Sequence, residues 1–482
     1  MKFPLWLIGL ALALIGCKNQ SKSDALNPER PPNVIIVFTD DQGYNDVGVF
    51  GANDIATPHL DRMAANGLTL TNFYSAQAVC SASRAGLLTG CYPNRIGIHN
   101  AFMPNTPIGL NPEETTMAEM LKSIGYSTAI FGKWHLGDQP EFMPTKQGFD
   151  EYFGIPYSND MWPLHPQQGP VFDFGPLPLY ENEKVIDTLT DQTHLTTQIT
   201  EKGIDFIKRN KANPFFLYVA HPQPHVPLFV SDKFKGKSGR GLYGDVIMEI
   251  DWSVGQLIQT LKEEGLEDNT LVIFTSDNGP WLAYGNHAGS AYPLREGKGT
   301  AWEGGQREPF IAQFPKSFPK GKTLDQPLMA IDLLPTIAEL TGAPLPQKTI
   351  DGKSALSLFE GSTQESPQDT YFFYYRVNEL HGLRHKNWKM YFPHKYRTLN
   401  GGKAGMDGQA GRYNYVDIEE VELYNLDTDV SEKNNVAEQQ PEIVAKMTAL
   451  AEEMRQELGD ALTEQKGTGN REPGKMTSDK PQ

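Results

Sequence analysis

The sequence predicts an α/β fold: a large domain with a mostly parallel central sheet flanked by helices, followed by a smaller C-terminal unit with an antiparallel sheet and a helix. Three observations carry this. Apolar, β-branched runs recur at 33–39 (NVIIVFT), 127–131 (STAIF), 214–220 (PFFLYVA) and 271–275 (LVIFT). Helix-like stretches separate them at about 115–124, 192–210 and 245–264, and buried strands alternating with amphipathic helices indicate a parallel sheet. Each run is followed at once by polar residues of catalytic type: Asp40-Asp41, Lys133-Trp-His135, His221-Pro-Gln-Pro-His225 and Asp277-Asn278. Ligands of open α/β sheets bind beyond the carboxyl ends of the strands, so four separate runs point at one crevice.

Ahead of the first run, Met1-Lys2 is a short basic start and Phe3 to Ile15 an apolar stretch too short to span a bilayer. Leu14-Ile15-Gly16-Cys17 reads as a bacterial lipobox. Residues 1–16 are expected to be a removed lipoprotein signal peptide, Cys17 the lipidated first residue, and 17–32 a polar tether to the membrane. An ordinary cleaved signal releasing a free secreted product is the alternative. Lys18 stands where an Asp would favour retention at the inner membrane, so the expected location is the outer membrane, facing periplasm or cell surface.

The 482 residues suffice for one large domain and a smaller one. Only three cysteines occur and Cys91 has no obvious partner, so the fold must rest on its core and any bound metal rather than on disulfides. A net charge of −16 argues against nucleic acid as a partner and against electrostatic attachment to anionic lipid. An acidic protein that handles an anion must gather positive charge locally.

The first and last runs end in Asp40, Asp41, Asp277 and Asn278, hard oxygen donors with no sulfur or histidine among them, which suits one Ca²⁺ or Mg²⁺ better than zinc. Either pair alone is also the composition of a solvated turn. After the first run comes Cys80-Ser-Ala-Ser-Arg84-Ala-Gly-Leu-Leu-Thr-Gly90. Ser81 to Ser83 are good helix-start residues, Ala85 to Leu88 continue the turn and Gly90 can end it. Cys80 then sits at the positive end of a helix dipole with Arg84 one turn along the same face, within reach of a sulfate or phosphate.

Further on, Lys133 and His135 share a side if their segment is extended. His225 lies on a proline-stiffened loop, and Lys298 falls in the Gly-rich segment 293–309.

The Cys80 stretch closely resembles the signature of the type I, formylglycine-dependent sulfatases, C-x-P/A-S-R followed by a short run ending in T-G, with Ala82 where proline is commoner. Segment 293–309 resembles the family's second long signature, with Glu296 where relatives more often carry a small residue. Gly154-Ile-Pro-Tyr-Ser-Asn-Asp160 is similar to a segment of the arylsulfatase A-like branch, and the likeness runs from Asn33 through Glu422-Leu-Tyr-Asn-Leu-Asp-Thr-Asp429. The resemblance implies an alkaline phosphatase-like catalytic domain and a sulfuric ester hydrolase. It implies Cys80 oxidised to formylglycine, by a formylglycine-generating or an anaerobic sulfatase-maturing enzyme, and calcium held by Asp40, Asp41, Asp277, Asn278 and the modified Cys80.

In the mechanism so implied, one hydroxyl of the hydrated aldehyde attacks sulfur. Arg84 and Lys133 hold the hydrate, while Lys133, Ser158 and Lys298 bind the sulfate oxygens. His225 protonates the departing oxygen, and His135 takes the proton of the second hydroxyl so that sulfate leaves and the aldehyde returns. Sulfate monoesters hydrolyse very slowly, and both the bridging and the outer oxygens need partners fixed in place. A plain serine or thiolate would be stranded as a stable ester.

The catalytic domain is expected over 33–345 and the C-terminal subdomain over 346–463, with short strands at 371–375, 388–392 and 421–425 and a helix over 441–458; residues 464–482 read as a disordered tail. Asn378, Glu379, His381 and Arg384 form a polar cluster in a segment similar to the family's substrate-facing loop. With Asp160 and His287 they are candidates for sugar contacts, and Trp162, Trp281 and Trp302 for stacking on a pyranose. The expected substrate is a sulfated carbohydrate attacked from its end in polysaccharide breakdown. The alternatives are a phosphodiester or phosphonate monoester hydrolase of the same superfamily, and an inactive glycan-binding lipoprotein.

Overall fold

A computed structural model describes residues 1, 30–167 and 169–476. The expected signal peptide, Cys17 and most of the tether lie outside the described residues. Strand β1 (Asn33–Thr39) is buried at all seven positions. Val34, Ile36 and Phe38 join one hydrophobic core and Ile35 and Val37 a second on the opposite face, as period-2 alternation requires of a sheet covered on both sides. Each such burial stabilises the fold by about 1.5–3 kcal/mol, so this strand fixes the register of the sheet.

The chain continues through α1 (Pro58–Asn66), β2 (Leu68–Tyr74), α2 (Cys80–Thr89), the short β3 (Ile108–Gly109), α3 (Met117–Lys122), β4 (Ser127–Lys133) and β5 (Glu151–Ile155). A hairpin of β6 (Pro178–Glu181) and β7 (Lys184–Thr188) precedes α4 (Leu195–Arg209), β8 (Phe215–Ala220), α5 (Gly241–Glu263) and β9 (Thr270–Ser276). Then come the one-turn α6 (Glu303–Gln306), β10 (Arg307–Gln313), β11 (Lys322–Leu324), β12 (Leu328–Met329), α7 (Leu333–Thr341) and α8 (Leu356–Phe359). The sheet runs β11-β2-β10-β9-β1-β8-β4-β5-β6-β7, with β12 also on β2. Its centre, β9-β1-β8-β4-β5, is wholly parallel, and β10, β6 and β7 add antiparallel pairings outside it. The core under α2, α3 and α7 covers one face; α1, α4 and α5 cover the other.

The four predicted strands are thus β1, β4, β8 and β9, adjacent in the sheet, and their carboxyl ends open on the same edge. Among the described residues no helix is long and apolar enough to cross a membrane.

The C-terminal part holds a four-stranded antiparallel sheet, β13 (Thr370–Tyr375), β14 (Glu379–His385), β15 (Trp388–Tyr391) and β18 (Glu422–Asn425), and a hairpin of β16 (His394–Thr398) and β17 (Asn414–Ile418). Helix α9 (Pro441–Leu458) buries Met447, Ala451 and Leu458 against this sheet, in the span expected. Two expectations need correction. Segment 379–385, read as a polar substrate loop, is a central strand, because Leu380 and Leu383 are fully buried in its core. Residues 464–476 of the expected disordered tail are ordered. Its Arg471 pairs with buried Glu114 (2.8 Å) and donates its backbone N–H to Arg95, and β19 (Gly474–Lys475) pairs with β3. Its polar composition suggested disorder, yet those polar groups satisfy buried partners in the catalytic domain.

Candidate active site

Helix α2 begins at Cys80 and ends at Gly90, whose left-handed backbone (φ 69°) lets its N–H reach the Gly86 carbonyl (3.0 Å), as the motif predicts. Behind it, Asp40 and Asp41 close β1. A strand would send these two carboxylates to opposite faces, but Asp41 is left-handed (φ 62°), which breaks the alternation and brings both to the crevice. Asp277 and Asn278 arrive from the end of the adjacent β9: Asp277 Oδ1 accepts the Asp41 N–H (3.1 Å), and Asn278 Nδ2 donates to Asp41 Oδ1 (2.7 Å).

Cations interleave with these acids. Arg84, fully buried, donates to Asp40 Oδ2 (3.2 Å), Asp277 Oδ2 (2.9 Å) and the Lys133 carbonyl (3.3 Å). Its guanidinium therefore faces the carboxylates behind the pocket, on the same Asp40 that Lys133 binds. Lys133 Nζ, at the end of β4, binds Asp40 and donates to Ser158 Oγ (3.1 Å). Gly132 makes this approach possible: at φ 123°, a side chain there would lie 1.9 Å from the Ala220 carbonyl oxygen on β8. Lys298 Nζ lies 2.6 Å from Asp41 Oδ1 and 3.2 Å from Cys80 Sγ. Three carboxylates, Asp40, Asp41 and Asp277, thus meet three cations, Arg84, Lys133 and Lys298.

Two histidines, His135 and His225, line the pocket with Cys80. His225 Nε2 is 3.5 Å from Asp41 Oδ2, with its ring edge-on to Trp281 at 5.5 Å. His135 Nε2 contacts the Phe102 carbonyl (2.9 Å). His135 is itself left-handed (φ 62°), so it reaches the site through a turn after β4 and not by the extended i, i+2 relation with Lys133.

Electrostatics sharpen these roles. Burial, reinforced by Asp40 and only partly opposed by Lys133 and Lys298, pushes the Cys80 thiol far up. Burial and then the Lys133 charge hold His135 well below the usual histidine value, so its imidazole is neutral. Burial alone would raise Asp40, but Lys133, His225, Arg84 and Lys298 outweigh it and keep its carboxyl well below the usual range.

The residues present suit a divalent cation. Asp41 Oδ2 and Asn278 Oδ1 are buried without a hydrogen-bond partner, in a site of hard oxygen donors. One ligand atom each from Asp40, Asp41, Cys80 and His225 lie within 4.8 Å of one another, so His225 joins three of the expected ligands, while Asp277 stands outside that group, engaged with the Asp41 N–H and Arg84.

In front of Cys80 opens a pocket of about 250 Å³, with Ser158, Asp160, His135, His225 and Lys298 on its polar side. Met103, Phe172, Phe174, Trp281 and Tyr375 supply an apolar wall, and Arg397 closes one side. Of the sugar-contact candidates only Asp160 lines it. His287 packs beside Gly408, and Asn378 is engaged with Asn94 and the Leu458 carbonyl. Glu379 and His381 bond each other (2.8 Å), with His381 stacked on His394, and Arg384 binds Tyr74 within the interface to the catalytic domain. Of the three tryptophans, Trp281 alone lines the pocket; Trp162 donates to the Leu189 carbonyl and Trp302 lies fully buried under Arg295. Tyr375 and Arg397 were missed, since neither belongs to a motif and only the C-terminal sheet and hairpin bring them here.

Comparison with known proteins agrees with this geometry. The Sulfatase family profile matches residues 32–343, and that of the C-terminal region of aryl-sulfatase matches residues 366–477. Arylsulfatase A of Bos taurus is 40% identical over 80% of this chain and 78% of its own length. N-acetylgalactosamine-6-sulfatase of Homo sapiens is 38% identical over 83% of this chain and 78% of its own. Among solved structures, the PsFucS1 sulfatase from Pseudoalteromonas sp. superposes with a TM-score of 0.80 at 27% identity, covering 88% of this chain and 90% of that one. Ps i-CgsB in complex with k-i-k-neocarrahexaose gives 0.75 at 30% identity, covering 88% and 93%. With its catalytic and C-terminal parts both matched, the chain belongs to the alkaline phosphatase-like sulfatase family and is a sulfuric ester hydrolase.

Proposed function

We propose that this sulfatase cleaves sulfate esters of carbohydrates, exo-acting on polysaccharide-derived oligosaccharides, with Cys80 matured to formylglycine and one Ca²⁺ at Asp40, Asp41, Asp277 and Asn278. The observation that carries the formylglycine reading is the state of Cys80. Its thiol lines the pocket between Lys298 and Asp40, where attack must originate, yet burial keeps it protonated. Nucleophilic cysteines have lowered values, so an unmodified thiol here is a poor nucleophile at neutral pH.

Formylglycine would supply a hydrated aldehyde as nucleophile, and calcium would supply Lewis acidity. The chain's own residues do the rest. Lys298 and Lys133 provide ammonium groups for the outer sulfate oxygens, and Ser158, which accepts from Lys133, keeps its own hydroxyl proton to donate. His225, on the pocket side, is placed to give a proton to the departing sugar oxygen. His135, held neutral, takes the proton whose loss releases sulfate. Arg84 locks Asp40 and Asp277 in place. Because the three carboxylates are already matched by three cations, a divalent ion leaves the site with surplus positive charge for an anionic ester.

The carbohydrate reading is supported by the relatives, by the apolar wall that can face a sugar ring, and by a pocket with room for one sugar residue beside the sulfate. Two measurements test the proposal. The tryptic peptide 63–84 from native-host protein should be about 18 Da lighter than its cysteine form. The protein should also release sulfate from mono-sulfated galactose, N-acetylgalactosamine or glucosamine, and Cys80→Ala should not. An unmodified thiol in active material sinks the formylglycine reading. Anchoring at the outer membrane through lipidated Cys17 completes the proposal; Cys17→Ala protein that still partitions with membranes would reject it.

A further inference from the structure

Arg397 lies on β16, in the hairpin that the C-terminal part extends over the pocket. It donates from Nε (3.0 Å) and Nη2 (2.5 Å) to the carbonyl oxygen of Lys298, and its guanidinium lies over the Tyr413 ring at 4.6 Å. Gly299 makes room for it. At φ 79° this residue is left-handed, and a side chain there would meet Arg397 Nη2 at 2.4 Å.

The charge around Arg397 is unlike that of the other site cations. Arg84, Lys133 and Lys298 each have a carboxylate partner. Among the described residues none lies within ion-pair distance of Arg397, and no hydrogen bond engages its Nη1. The acid of the neighbouring loop, Glu296, feels the Arg397 charge without pairing with it, and accepts from the Thr398 hydroxyl at 2.6 Å. Across the pocket Asp160, only 7% exposed, has a buried Oδ1 without a partner. A guanidinium with one edge on a neutral carbonyl and no carboxylate in contact with it, on the side of a mostly apolar pocket, is suited to a planar anion by a charge-assisted pair. Arg397 is partly buried, and positive charge there with no anion in contact favours a ligand that supplies the counter-charge over one that does not.

We propose that Arg397 recognises a second anionic substituent, a carboxylate or a second sulfate, on the sugar whose ester is cleaved. The assignment rests on the carbohydrate reading and narrows it: the preferred substrate is doubly charged, with its second charge toward the C-terminal hairpin and a hydroxyl toward Asp160.

Binding tests this without turnover. Cys80→Ala protein in calcium is titrated calorimetrically with N-acetylgalactosamine 6-sulfate, the 4,6-disulfate, and a 6-sulfated disaccharide carrying a uronate; the titrations are repeated with Arg397→Gln and Arg397→Lys added, after thermal melts show each variant folded. At least one doubly charged ligand should bind about tenfold or more tighter than the monosulfate. Arg397→Gln should abolish that preference and Arg397→Lys restore part of it. Whichever ligand gains identifies the anion. Equal weakening of all three ligands by Arg397→Gln would reduce Arg397 to a positioning residue for Lys298 and overturn the proposal. A preference that survives in the Gln variant, or none in the parent, overturns it too. Turnover of the mature enzyme separates the two readings: aryl sulfate cleaved while no sugar sulfate is touched defeats the carbohydrate reading, whereas flat selectivity among sugar sulfates defeats only the role of Arg397.

Discussion

At the scale of single residues, the two histidines make opposite predictions. If His225 is the acid for the leaving oxygen, its removal matters in proportion to how poor that leaving group is. His225→Asn should lower kcat on a sugar sulfate by about 10²–10⁴ and have a much smaller effect on 4-nitrophenyl sulfate, whose phenolate leaves unaided. Equal losses on both substrates would remove the acid role. His135 is different because burial and Lys133 depress its value, and a base so depressed stays competent as the pH falls. The acid limb of kcat should therefore lie below the ordinary histidine value of about 6.5, and its position should change in His135→Gln. A limb at or above that value, unchanged in the variant, contradicts the assignment.

At the scale of elements, a buried charge cluster joins the C-terminal sheet to the catalytic domain. Glu303 on α6 accepts from Lys389 on β15 (2.6 Å), from Arg307 on β10 (3.1 Å) and from Tyr74 on β2 (2.8 Å). Burial alone would raise its value, but Lys389, Arg307 and Arg384 hold it down to about 2. A depressed acid contributes stability above its unfolded value, and that contribution drains away as pH falls from about 4.3 toward 2. Lys389→Met leaves this carboxylate buried with less compensation and should cost about 3–5 kcal/mol, read as a lower melting midpoint, with part regained when Glu303→Gln is added. A midpoint unmoved by Lys389→Met would show the cluster to be incidental.

Arg384 belongs to this same cluster, which explains why its sequence was misread. Polar residues inside β14 look like a loop as long as the partners that satisfy them, Tyr74 above all, are more than three hundred positions away. The strands β1, β4, β8 and β9 and the helix at Cys80 were legible because period and composition are local. The same holds for Asp40, Asp41, Lys133 and Asp277, which terminate those strands. Arg397 and Tyr375 were not legible, since nothing near them in the chain marks the edge of a pocket built by another part of the fold.

For the whole molecule, occupancy of the proposed metal site should be linked to folding. A ligand bound only by the folded state, present at about a hundred times its Kd, adds about 2.7 kcal/mol. Stripping calcium with EGTA should lower the melting midpoint by several degrees and abolish sulfate release, and calcium should restore both. Activity indifferent to exhaustive chelation rejects the metal. The C-terminal tail acts on the same scale. Truncation after residue 463 deletes β19 and leaves Glu114 buried without Arg471, so it should destabilise the catalytic domain although it touches no catalytic group.

Cys80 is 2% exposed at the start of a helix whose every residue is buried. No oxidising enzyme can grip that helix once the sheet has closed around it. Under the proposed formylglycine chemistry, maturation would become a matter of timing, a race between the modifying catalyst and collapse of the nascent polypeptide. Chains that lost the race would be trapped as well-formed but inert molecules, so a preparation's specific activity would report how fast it folded relative to how fast it was processed.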